Sequence, residues 1–157
     1  MDRTRWLTAE QQEAWRVLVA FTTRLPAALD TQLQRDSGLT HFDYFVLSTL
    51  SEAPDRRLQL RVLAEFANAS LSRLSHVMTK LEKIGWVRRE SVPGVRGSQA
   101  VLTDTGYAKV VETAPGHAET VQSLVFDGLD DRQVRTLTEL GTTLLDTLDT
   151  GIARGRR

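Results

Sequence analysis

Apolar side chains recur at helical spacing early in the chain: Ala14, Leu18, Phe21, Leu25, Leu29 and Leu33, with Trp15 and Val19 on adjoining positions. Steps of three and four keep such residues on one face, so the pattern predicts a long helix over 8–34. Thr8 and Gln11 stand at capping-box spacing, and Asp36-Ser37-Gly38 ends the run. Pro26 falls inside it and predicts a kink or the start of a second half. A second helix is predicted from Thr40 and Asp43 to the stop at Ala53-Pro54-Asp55, carrying Phe42, Phe45, Val46, Leu47 and Leu50. A third, short helix covers about 60–66, with Val62, Leu63 and Phe66 inward. The turn Ala67-Asn68-Ala69 leads to Ser70. A fourth helix follows to Ile84 on Leu74, Val77, Met78 and Leu81, with Gly85 where a C-terminal glycine belongs.

The period then changes. Trp86 to Val92 alternates and reads as a strand, Pro93 to Gly97 as a turn, and Ser98 to Leu102 as the returning strand. Thr103 caps a fifth helix that continues, kinked at Pro115-Gly116, to about Phe126. Asp130 and Gln133 open a sixth, with Val134, Leu137, Leu140, Leu144, Leu145, Leu148 and Ile152 apolar. The fold class is therefore mostly α with a small β-hairpin wing: a winged helix-turn-helix of six helices. The terminal helices carry more apolar surface than a small winged-helix core covers. They predict burial against a second copy, in a twofold homodimer. The chain then divides into an N-terminal dimerisation helix (1–40), a winged helix-turn-helix lobe (41–102) and C-terminal dimerisation helices (103–157).

Composition narrows the classes. The chain has 157 residues, 41% hydrophobic and 25% charged, which is ordinary globular composition for about one domain. No cysteine is present, which excludes disulfides, thiolate zinc sites and thiol redox switching. No apolar run approaches the roughly 18 residues of a membrane span, and the opening MDRTRWLTAEQQ lacks the apolar stretch of a signal peptide. A cytoplasmic location is expected. The 20 basic and 20 acidic residues cancel, yet they are unevenly spread. Residues 56–99 hold nine basic side chains against three acids, a net charge of +6 on an otherwise acidic chain. Such asymmetry marks a basic working surface.

The basic window coincides with the helix-turn-helix. On the fourth helix, Leu74, Val77, Met78 and Leu81 form a packing face, and Ser72, Arg73, Ser75, His76, Thr79 and Lys80 lie opposite. Arg73 suits guanine O6 and N7 in a major groove. His76 suits a base acceptor or a phosphate. Ser70, Ser72, Ser75 and the helix N-terminus suit phosphate oxygens. Arg96, between Gly94 and Gly97 at the hairpin tip, suits a minor groove. Arg88 and Arg89 precede the tip and suit phosphates, although alternation turns one of them toward the domain. Lys80 and these arginines complete the expected DNA-binding set.

In order, Leu63-Ala64-Glu65, Ser72-Arg73-Leu74-Ser75-His76, Leu81-Glu82-Lys83-Ile84-Gly85-Trp86-Val87-Arg88-Arg89, Arg96-Gly97 and Val101-Leu102-Thr103-Asp104-Thr105-Gly106 resemble the successive signatures of the MarR family. These are the multiple-antibiotic-resistance-type transcription regulators. Gly38-Leu39-Thr40 with Tyr44 and Leu47, and Asp127-Gly128-Leu129 with Gln133, extend the resemblance over nearly the whole chain. The resemblance implies a homodimer of two winged-helix lobes that binds palindromic operators, generally as a repressor, and releases them on binding a small ligand. One position departs: Gly94 stands where the family usually has Asp, two residues before the wing arginine.

The resemblance also implies an effector site between the lobe and the dimerisation helices. Trp15, Arg24, His41, Tyr44, Phe45 and His117 are the candidates, in a setting suited to a phenolic or carboxylate compound; Trp15, Tyr44 and Phe45 read more readily as core residues. His41, His76 and His117 lack metal-ligand spacing, so no metal is expected, and no cofactor. No phosphate-cradling glycine motif, GxSxG or HExxH is present, so no enzyme is expected. The expected partners are palindromic double-stranded DNA, a second copy of the chain and an unidentified small effector, with no membrane. The alternative, motivated by Gly94 and the neutral net charge, is a winged-helix module for ligands or proteins with weakened or lost DNA binding.

Overall fold

The structure is a computed structural model that describes residues 4–91, 94 and 97–155. Helix α1 (Ala9–Ser37) is opened by the Thr8–Gln11 capping box and closed by Gly38 in the left-handed region. It runs through Pro26 as one element. Helix α2 (His41–Glu52) opens on a second capping box, Thr40 with Asp43. A short 3-10 turn (Pro54–Arg56) leads into strand β1 (Arg57–Gln59), then come α3 (Leu60–Phe66) and α4 (Leu71–Ile84). Strands β2 (Val87–Ser91) and β3 (Ser98–Leu102) follow, then α5 (Asp104–Val121), a π-helical turn (Gln122–Phe126) and α6 (Asp131–Gly155).

The wing is a three-stranded antiparallel sheet in the order β1-β3-β2, where the sequence predicted only a hairpin. The added strand is three residues long, too short to show a period. It is aimed by Asp55 and Arg56, both at positive φ, which reverse the chain after α2. Leu58 opposite Ala100 then turns its side chain toward the core. A side chain at positive φ is strained. Here Arg56 is held by stacking 3.6 Å from the Tyr107 ring centroid and by pairing with Asp104 at 3.2 Å.

The chain forms two compact units, residues 1–118 and 119–157. The core of the first gathers where α2, α3, α4 and the sheet meet: Val46, Leu47, Leu50, Leu63, Leu74, Met78 and Leu81 are fully buried, and Leu33 of α1 joins them. The apolar row earlier on α1 stays exposed, Trp15, Leu18 and Phe21 included. In the second unit the stripe on α6 stays exposed as well: Leu137, Leu140, Leu144, Leu145, Leu148 and Ile152 are each 44–60% accessible. Among the described residues no helix is long and apolar enough to cross a membrane.

Candidate nucleic-acid interface

The turn between α3 and α4 is built by local backbone geometry. Asn68 adopts a left-handed conformation, and the Ala69 N–H donates to the Ala64 carbonyl at 2.9 Å. Ser70 then caps α4, its hydroxyl oxygen accepting from the Arg73 N–H at 3.1 Å. Gly85, at φ 91°, closes the helix and releases the chain into β2. The apolar face, Leu74, Met78 and Leu81, has no solvent exposure. That anchorage leaves Ser72, Arg73, Ser75, His76 and Thr79 outward, and with Ser70 and Val77 they line a shallow concavity of about 760 Å³.

The cations behave differently from one another. The Arg73 guanidinium lies over the Phe42 ring, 4.4 Å from its centroid. Lys80, which the sequence marked for DNA, donates at 2.5 Å to Asp43, a carboxylate 1% exposed. Burying a carboxylate is costly without such a partner, so Lys80 helps hold the fold while its side chain stays half exposed. Arg89 helps hold it too. Its guanidinium pairs with Glu82 and donates to the Ser75 carbonyl at 2.7 Å and the Thr79 hydroxyl at 3.1 Å. Its N–H also donates to Glu82, at 2.6 Å. Arg89 is therefore the member of the pair that faces the domain, and it fastens β2 to α4. Arg88 is exposed and donates to Glu90 at 2.7 Å. Glu90 also accepts from Arg57 at 3.5 Å. Arg96 lies outside the described residues; its neighbours Gly94 and Gly97 both have positive φ.

Of the effector candidates, the structure gathers three. The Tyr44 and His117 rings are 4.7 Å apart and the His41 and His117 rings 6.5 Å apart, between centroids. Gln32 and Gly116 approach beside them. Gln32 Oε1, Thr113 Oγ1 and His117 Nδ1 are buried polar atoms with no hydrogen-bond partner among the described residues, which is costly unless something pairs with them. Phe45 lines a different surface, a concavity of about 710 Å³ that also includes His41, Phe42, Arg73 and Lys80. Trp15 and Arg24 do not join the cluster. Both are exposed on α1, and Trp15 lies 17 residues before Gln32, roughly 25 Å along the helix. The sequence shows Phe42 only as a core position and Asp43 only as a capping acid, because periodicity shows nothing of partners on another helix.

Burial, and then the nearby His41, hold the His117 imidazole below its ordinary range, so the fold favours the neutral ring. Its contribution to stability is complete above the free imidazole value of about 6.5 and is lost as pH falls through the lower folded value. Thermal melts at about pH 7.5 and about pH 5.5 should therefore differ more for the parent than for His117→Gln. Equal differences would remove His117 as the titrating group.

A helix-turn-helix with a sheet-borne wing and an exposed polar second helix is a winged helix-turn-helix. The family model described as MarR family matches residues 39–94. Among solved structures, Sco3205, a MarR family transcriptional regulator from Streptomyces coelicolor in complex with DNA, is 46% identical. The match covers 94% of this chain and 93% of that one, with a TM-score of 0.88. AbsC, a MarR family transcriptional regulator from the same organism, is 35% identical over 94% and 99% of the two chains, with a TM-score of 0.86. A mutant MarR from E. coli complexed with operator DNA shares the fold at 21% identity, over 90% and 99% of the chains, with a TM-score of 0.75. No curated protein matches. The chain belongs to the MarR family of transcriptional regulators.

Proposed function

We propose that the protein is a dimeric, sequence-specific regulator that binds palindromic double-stranded DNA in the cytoplasm, acts as a repressor and is released by a small aromatic or phenolic effector. The observation that carries this reading is α4: an apolar face with no exposure fixes the helix, and Arg73, His76, Ser72 and Ser75 project from the other side. Identity of 46% to a regulator solved on DNA supports it. Arg73 is the reader of a guanine, His76 and the serines take phosphates or base acceptors, and Arg88 and Arg96 take the backbone and minor groove beside the wing. Lys80 and Arg89 brace the lobe. The exposed leucines of α6 and aromatics of α1 support pairing with a second copy. The unpaired polar atoms beside Tyr44 support an effector there, one whose hydroxyl would donate to an acceptor such as Gln32 Oε1.

The test is a binding selection from genomic fragments at physiological salt. Recovery of palindromic sites, with log affinity falling steeply against log salt, is expected. Arg73→Ala should lower discrimination at one base pair per half-site by about tenfold to a hundredfold, the worth of one bidentate contact. A selection that returns no site would favour the module that no longer reads DNA.

A further inference from the structure

We infer that the first turn of α2 presets the reading helix, with Phe42 the positioning residue for Arg73. The inference rests on the DNA-reading role proposed for α4. Arg73, Val77 and Lys80 stand at i, i+4 and i+7 and so share one stripe of α4. All three border a single concavity with Phe42 and Asp43. The two cations on that stripe are gripped two helical turns apart: Arg73 over the Phe42 ring at 4.4 Å, and Lys80 on Asp43 at 2.5 Å.

The gripping turn is itself fixed. Thr40 and Asp43 exchange capping hydrogen bonds at 2.9 and 3.0 Å, and the His41 N–H donates to Asp30 of α1 at 2.8 Å. The two grips differ in kind. The Lys80 ammonium gives one of its three donors to a buried carboxylate. A guanidinium held over a ring by cation–π attraction makes no hydrogen bond to it, so its five N–H donors stay available. Bidentate recognition of guanine uses those donors. That attraction restricts a long side chain without consuming the donors that read the base. Phe42 sets the place from which Arg73 meets DNA, and Asp43 fixes the other end of the same stripe through Lys80.

The experiment measures the affinity of the parent and its variants for the selected operator and for duplexes with each base pair changed. Phe42→Leu should flatten discrimination at the base pair that Arg73→Ala flattens, by about threefold to tenfold. The double variant should be no flatter than Arg73→Ala alone, and the salt slope of Phe42→Leu should match the parent's. Phe42→Tyr, which keeps the ring, should restore discrimination. Phe42→Met keeps volume without a π face and carries the test if Phe42→Leu does not fold. A Phe42→Leu or Phe42→Met protein that discriminates like the parent while Arg73→Ala does not would overturn the inference. So would a uniform loss on all sequences, which marks a purely structural role. If Arg73→Ala itself flattens no position, the assignment of Arg73 as reader fails first and the role of Phe42 falls with it.

Discussion

Gly106→Ala should destabilise the protein by about 3 kcal/mol or more, the upper range for forcing atoms into a packed region. A Cβ built on Gly106 would lie 2.0 Å from the Trp86 carbonyl oxygen and 2.9 Å from its carbon, and 2.8 Å from Leu102 Cδ1. Two of those three atoms are backbone, so no side-chain rotation relieves the clash. Backbone shift is also opposed locally. The Thr103 N–H donates to the same Trp86 oxygen at 3.0 Å. The Thr103 hydroxyl bonds the Gly85 carbonyl at 2.7 Å and accepts from the Gly106 N–H at 3.0 Å. The Thr105 hydroxyl also reaches Gly85, at 2.9 Å. The first turn of α5 is thus stitched to the junction of α4 and β2, the point where the helix-turn-helix hands over to the wing sheet. For a chain of this size the cost corresponds to a fall of roughly 6–12 °C in the melting temperature, read at fixed protein concentration. Gly128→Ala, where an added methyl meets nothing within 4 Å, should leave the melt nearly unchanged. Equal melts for the parent and Gly106→Ala would show that the close approach does not exist in solution.

The Thr103-Asp104-Thr105-Gly106 run is recognisable through the family resemblance, although the partners that explain it, Gly85, Trp86 and Arg56, lie far back in the chain. Helix α3 is expected over about 60–66 and found at Leu60–Phe66, although Phe66, expected inward, is 62% exposed, and α4 lies as expected between its Ser70 cap and Gly85. Caps, glycine stops and apolar spacing are all short-range signals. Features decided over longer distances were illegible. Strand β1 depends on β3, more than 40 residues away, and its three residues carry no pattern of their own. Lys80 looked like a free cation because its partner, Asp43, lies 37 residues back on another helix. Arg89 looked exposed for the same reason, although the alternation of β2 did show that one of the two arginines must turn inward. The resemblance groups Trp15 and Arg24 with Tyr44 and His117, whereas in the structure both are exposed on α1 outside that cluster. Within the site, the helix and its outward face were readable, and which charges were already paired was not.

Replacing Leu140 and Leu144 together by glutamate should convert the protein from dimer to monomer and reduce operator affinity by about a hundredfold or more. Both side chains lie on the apolar stripe of α6, 59% and 53% exposed in the single chain. Because they are exposed there, the substitution removes no packing within the protomer, and glutamate is as good a helix former as leucine. The cost falls on association. A twofold interface repeats each change, so two substitutions alter four buried positions. Each buried leucine contributes roughly 1.5–3 kcal/mol, and each carboxylate forced into the interface without a partner adds a desolvation cost. The gross loss of about 6–12 kcal/mol approaches the whole free energy of a tight dimer. Operator affinity follows, because a dimer binds its second half-site intramolecularly and a monomer forfeits that effective concentration, worth about 10²–10⁴. Light scattering at micromolar concentration reads the first effect and operator titration the second, with circular dichroism confirming that the helices persist. A parent protein already monomeric at that concentration would refute the dimer. A dimeric double variant would shift the interface away from the α6 stripe. A monomer that still held the operator as tightly as the parent would break the link between pairing and DNA recognition on which the proposed function depends.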